Sequence, residues 1–155
     1  MIKAIREKLE AEINPLDYEL RVTIPKDIKK ALEFGDLREN AEYKAALERQ
    51  EFVKARLGQL RSRMVELAHL DFSSLPHDRI AYGSDVTIES AEGSSSVFRL
   101  VMPEETDTER GWISVSSPIG RGLVGHEEGD EVEIRTPGGV KQWTILEVRT
   151  VHDQT

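Results

Sequence analysis

The apolar residues of this chain change their period once, between residues 71 and 80, and that change limits what it can fold into. Before it, Val53, Leu57, Leu60, Met64 and Leu67 follow one another at steps of four and three. Such steps place side chains on one stripe of an α-helix, in the manner of a coiled-coil seam. Traced backwards, the stripe meets Gln50, Ala46 and Tyr43 and thins toward Gly35. An earlier series keeps similar steps: Ile2, Ile5, Leu9, Ile13, Leu16, Leu20, Ile24, Ile28 and Ala31. Only the turn Gly35-Asp36 separates the two series, so the stripes cover each other when the chain folds back on itself. The pattern predicts an antiparallel helical hairpin over residues 1–72. A second helix from Leu37 to Ala68 would run for about 48 Å at the usual rise per residue. That exceeds what a compact domain of this size needs, and predicts a hairpin that projects.

Two prolines weaken the first helix. Pro15 and Pro25 each remove a helical N–H and disfavour helix in the residue before them. A kink or interruption is expected within residues 14–25, or else two shorter helices joined by an extended piece. Thr23 reads as a cap for the restart, with Pro25 in its first turn.

The stretch DFSSLPHDRI, residues 71–80, gathers Ser, Pro and Asp and stops the helical period. Beyond it come short β-branched and aromatic runs between turn signals: IAYGSDVTIES, SVFRLVM, WISVS, DEVEIRT and VKQWTILEVRTV. Pro137-Gly138-Gly139 marks a hairpin turn. Ser117 before Pro118 suits the cap and first turn of a short helix. The chain therefore reads as α+β, with the helical hairpin followed by an α+β domain on residues 79–152.

Several function classes drop out. Cysteine is absent, which removes disulfides, thiol chemistry and a cysteine zinc site. Neither an apolar leader nor a run of about 20 apolar residues appears, so a soluble cytoplasmic protein without membrane association is expected. Residues 1–75 hold 14 basic and 14 acidic side chains, whereas residues 76–155 hold 7 and 15. The whole net charge of −8 thus lies in the second half, which argues against a nonspecific binder of duplex DNA. The histidines at 69, 77, 126 and 152 show no metal-ligand spacing. Neither a phosphate loop nor a nucleophile elbow is present, and no small-molecule substrate is indicated.

What remains is GDLRENAEY, residues 35–43. Asp36 and Glu39 have two readings. As an N-cap and the residue three further on, they form a capping box, favoured again by the helix dipole. As two carboxylates at a hairpin tip they offer half of a Mg²⁺ site, since that ion is usually held by one or two carboxylates with water and phosphate. Such a tip would work inside another protein's active site, where it would help to hold an ion or a water for attack on a phosphodiester.

GDLRENAEYKAALERQ resembles the tip and second helix of the bacterial Gre transcript cleavage factors, and SVSSPIGRGLVGHEEGDEVEIRTPGG, residues 114–139, is similar to that family's C-terminal signature. Leu37 and Ala41-Glu42-Tyr43 favour the GreA type over GreB. The resemblance implies a coiled coil that enters the secondary channel of RNA polymerase, and an FKBP-like, antiparallel β-sheet domain that docks at its mouth. It implies no enzyme in isolation: Asp36 and Glu39 would assist the polymerase in binding a second Mg²⁺, shared with the polymerase and not held by the free chain. The polymerase would then cut the 3′ end of backtracked nascent RNA. Arg38, Asn40 and Tyr43 would support the tip, Arg49 and Arg56 would contact RNA, and Pro118, Ile119 and Arg121 would face the polymerase. Inhibitory members of the family occupy the same channel without stimulating cleavage, and this is the alternative reading.

Overall fold

Helix is continuous from α1, Ile2–Tyr18, through a wide turn at Glu19–Thr23 into α2, Ile24–Leu32. The computed structural model describes residues 2–36 and 38–154. The expected interruption is present, but it is a π turn and not an extended piece. Pro25 has no N–H for the carbonyl of Arg21, and its ring crowds that carbonyl. The backbone widens just before the proline, and the Ile24 N–H reaches back to the Glu19 carbonyl, five residues away. Pro15 lies exposed inside α1 without ending it. Thr23 is itself helical and makes no side-chain cap bond, so it caps nothing.

The third helix, α3, is Ala41–Ala68, 28 residues and about 42 Å long. Its stripe behaves as predicted: Val53, Leu57, Leu60 and Leu67 are buried, as are Ile5, Leu9, Ile24 and Ala31 opposite them. Ile24, Val53 and Leu57 form the centre of this core, with Ile13, Leu16, Leu20 and Ile28 packed around it. Each such fully buried side chain stabilises the hairpin by roughly 1.5–3 kcal/mol. Ion pairs also cross the hairpin: Arg49–Glu19 at 2.6 Å, Arg56–Glu12 at 2.7 Å and Arg61–Asp17 at 2.8 Å. They are solvent-exposed, where water screens such pairs and they contribute little. Apolar burial therefore holds the helices together, and the charges favour one pairing of the two over others.

The chain divides into two compact units, Met1–Leu70 and Asp71–Thr155. The second is a five-stranded sheet in the order β3-β2-β1-β5-β4. Its strands are β1 Asp85–Ser90, β2 Ser95–Val101, β3 Trp112–Ser114, β4 Glu131–Thr136 and β5 Gly139–Arg149. Three pairings are antiparallel, as expected, but β2 and β3 run parallel. The reason lies in their connection. It leaves β2 through 3₁₀ turns at Pro103–Glu105 and Thr108–Arg110 and re-enters at Gly111, whose φ is 77°. That path brings the chain back to the starting end of β2 before β3 begins.

One short helix, α4 Pro118–Leu123, packs on the sheet. Ser117 caps it as predicted, its Oγ accepting from the Gly120 N–H at 3.0 Å. Leu123 from α4 joins Val86, Ile88, Leu100, Val132, Ile134 and Ile145 from the strands in one core. The close fit of α4 requires Gly120, where a Cβ would lie 2.1 Å from the Ser114 carbonyl oxygen.

Candidate functional site

The tip of the hairpin is built from two helix ends and the short loop between them. Helix α2 closes with the Phe34 N–H donating to the Ala31 carbonyl at 3.1 Å and the Gly35 N–H to the Leu32 carbonyl at 3.4 Å. Gly35 then turns the chain with φ 96°, a left-handed conformation that costs a residue with a Cβ about 1–2 kcal/mol. Asp36 follows, and its Oδ1 accepts from the Arg38 N–H at 3.0 Å. Leu37 lies outside the described residues.

The capping box expected of Asp36 and Glu39 does not form. Helix α3 begins at Ala41, and its N-cap is Asn40, whose Oδ1 accepts from the Tyr43 N–H at 3.0 Å. The other end of the same amide donates to the Ala31 carbonyl at 2.7 Å. Asn and Asp cap helices about equally well. Only Asn also carries a donor, and the last carbonyls of α2 need one. The helix therefore starts four residues later than the capping-box reading implies. Asp36 and Glu39 are left exposed in the loop, and among the described residues Glu39 makes no hydrogen bond or ion pair.

Phe34, Asp36, Glu39, Asn40, Ala41 and Glu42 line a shallow open depression at this tip. Three carboxylates thus border one hollow at the positive end of a long helix, where negative charge is favoured. Among the described residues no three ligating side chains converge closely enough to hold a metal ion. The arrangement suits partial ligation, one or two carboxylate oxygens offered to a cation that other groups also hold. Neither Phe34 nor Glu42 is among the site residues expected from the sequence. The signal for Phe34 was a large apolar residue directly before the turn glycine; it is 66% exposed.

The remaining candidates are dispersed. Arg38 is exposed in the loop, and Tyr43 is half-buried in the first turn of α3. Arg49 is held bidentately by Glu19, at 2.6 and 2.9 Å, and its guanidinium lies 5.2 Å from the Phe52 ring centre. Arg56 donates to Glu12 at 2.7 Å. These hydrogen bonds lower the Glu19 and Glu12 pKa values and raise those of the arginines. An RNA phosphate would have to compete with them. The sequence held a signal for this pairing, because the two arginines are seven residues apart and so are the two glutamates. In the second unit Pro118 and Arg121 are exposed, while Ile119 is half-buried and packs against the sheet core. Ile119 therefore serves the fold first.

A long two-helix hairpin with an exposed acidic loop precedes a sheet unit, and both parts match one class of protein, the transcription elongation factors. Residues 1–68 match the family model for the N-terminal region of these factors, and residues 75–150 match that for the GreA/GreB C-terminal region. The chain belongs to the GreA/GreB family and is of the GreA type. It is 41% identical over 145 residues to transcription elongation factor GreA of Pseudomonas syringae pv. tomato, with 92% of each chain covered. Against GreA of Helicobacter hepaticus it is 43% identical over 143 residues, covering 92% of this chain and 88% of that one. Among solved structures it is similar to GreA factor homolog 1 (Gfh1) of Thermus thermophilus, at 24% identity and a TM-score of 0.43, with 93% and 94% covered. No helix of the described residues is long and apolar enough to cross a membrane.

Proposed function

We propose that this elongation factor binds RNA polymerase through the secondary channel and stimulates Mg²⁺-dependent cleavage of the 3′ end of backtracked RNA, rescuing arrested complexes in the bacterial cytoplasm. The observation that supports this best is the state of the acidic pair. Asp36 and Glu39 sit exposed at the end of helices about 42 Å long, and Asn40 has taken over the capping that would have explained them. Delivery to a buried site needs such a reach, and assistance to another protein's metal site needs carboxylates exposed in this way.

In this reading the chain is no enzyme alone. Asp36 and Glu39 supply carboxylate oxygens, Gly35 and the Asn40 cap shape the loop that presents them, and the hairpin carries the loop to the polymerase active centre. The shared ion would neutralise developing charge on the phosphodiester and lower the pKa of the attacking water. Arg38 faces the RNA or a polymerase carboxylate from the same loop. The second unit docks at the channel mouth, with Pro118 and Arg121 as its exposed candidates.

The test is RNA cleavage in a stalled, backtracked complex of the cognate polymerase, comparing the native chain with Asp36→Asn/Glu39→Gln. The substitutions keep shape and remove charge, and neither residue caps the helix, so folding and polymerase binding should persist. Rapid 3′ shortening with the native chain alone supports the proposal. Binding without shortening by the native chain would sink it and leave an inhibitor of the channel.

A further inference from the structure

We infer that Asn40 is a positioning residue for the acidic pair, and that its side-chain amide, not the carboxylates themselves, sets the conformation in which Asp36 and Glu39 meet a shared cation. This rests on the cleavage reading above. The observation is the two-ended bond of one half-buried amide. Its oxygen accepts from Tyr43 at the start of α3, and its nitrogen donates to Ala31 in the last turn of α2, nine residues earlier. Residues 32–39, which include the whole acidic loop, are the segment closed by that bridge.

Other restraints among the described residues of the loop are few. Described backbone bonds inside it end at Gly35, and among the described residues Asp36 bonds the neighbouring Arg38 N–H. Gly35 has no atom within 4 Å of where a Cβ would stand, so open space lies on that side of the turn. A loop of this kind samples many arrangements unless its ends are fixed, and each arrangement moves the two carboxylates relative to one another. Weak ligands gain most from such fixing, because ordering them at the moment of binding costs affinity.

The two ends of the amide can be separated by substitution. Asn40→Ser keeps a capping oxygen and loses the donor to Ala31. Asn40→Asp also keeps the cap, and sets a carboxylate against the Ala31 carbonyl. Two readouts follow. In the isolated chain, amide hydrogen exchange at Phe34 and Arg38 should accelerate about tenfold in both variants, with the Tyr43 amide still protected. In the backtracked polymerase complex, the Mg²⁺ concentration for half-maximal cleavage should rise severalfold, with polymerase affinity unchanged. A residue that only stabilised the helix would lower cleavage and Tyr43 protection together, without moving the Mg²⁺ midpoint. Unchanged exchange at Phe34 and Arg38 overturns the bridge, whatever the polymerase does. Faster exchange with an unmoved Mg²⁺ midpoint overturns the positioning role. Absence of cleavage with the native chain overturns the reading beneath it, and the positioning role with it.

Discussion

Leu57→Ala tests whether the buried seam, and not the exposed ion pairs, holds the hairpin together. Leu57 is 1% exposed and lies with Ile24 and Val53 at the centre of the hairpin core. Truncating a leucine in such a place costs roughly 2–5 kcal/mol, depending on how far the site collapses. A middle value of about 3 kcal/mol changes the folding equilibrium by more than a hundredfold. For a unit of this size, about 1 kcal/mol moves Tm by roughly 4–8 °C, so the helical transition should fall by about 12–24 °C. The control is Val65→Ala, on the same helix but 57% exposed, where the change should stay within about 0.5 kcal/mol. Thermal and urea unfolding followed by circular dichroism at 222 nm reports mainly on these long helices. If the two variants melt within a few degrees of each other, the seam is not the source of stability, and the account of the hairpin fails.

Three further outcomes are expected. Gly58→Ala should stabilise the hairpin by about 0.5–1 kcal/mol in the same urea titration, because Gly58 is helical and a Cβ there meets nothing within 4 Å. Gly120→Ala should destabilise the sheet unit by on the order of 3 kcal/mol, since its Cβ would strike the Ser114 backbone oxygen; fluorescence of Trp112 and Trp143, both in that unit, reads this. Glu12 and Glu19 have pKa values lowered below 4.5 by hydrogen bonds from Arg56 and Arg49. Their stabilisation is present above that value and is lost as pH falls through the lowered folded-state values. Glu12→Gln/Glu19→Gln should therefore flatten the acid loss of helical stability at low ionic strength, and an equally steep loss in that variant would refute the pairing.

Much of this was legible because apolar periodicity depends on local spacing. The seam, the five strands, the Ser117 cap and the turn at residues 136–139 all follow from residues close in sequence. The π turn was legible too, as an interruption within residues 14–25, though not in its kind. Leu16, Leu20, Ile24 and Ile28 are spaced by three successive steps of four. In a regular α-helix each such step overshoots by about 40°, and three overshoot by about 120°. One added residue absorbs about 100° of that, and this is what the wide turn at Glu19–Thr23 supplies. The parallel β2–β3 pair was not legible, because a three-residue strand takes its direction from the path of the connection. The cap at Asn40 was hidden for another reason. Asp36 satisfied the local rule for a helix start equally well, and only the distant Ala31 carbonyl distinguishes Asn from Asp.

The π turn also divides the hairpin into segments with different tendencies to open. The regular ladder of α1 and α2 is broken at Glu19–Thr23, and the residue directly after it, Ile24, is locked beneath Val53 and Leu57. Fraying that starts at the loop meets two buried side chains, Ala31 and then Ile24, before it reaches the break. Excursions at the tip are thereby confined to the outer quarter of the first helix. The loop end can loosen while the shaft behind it stays paired.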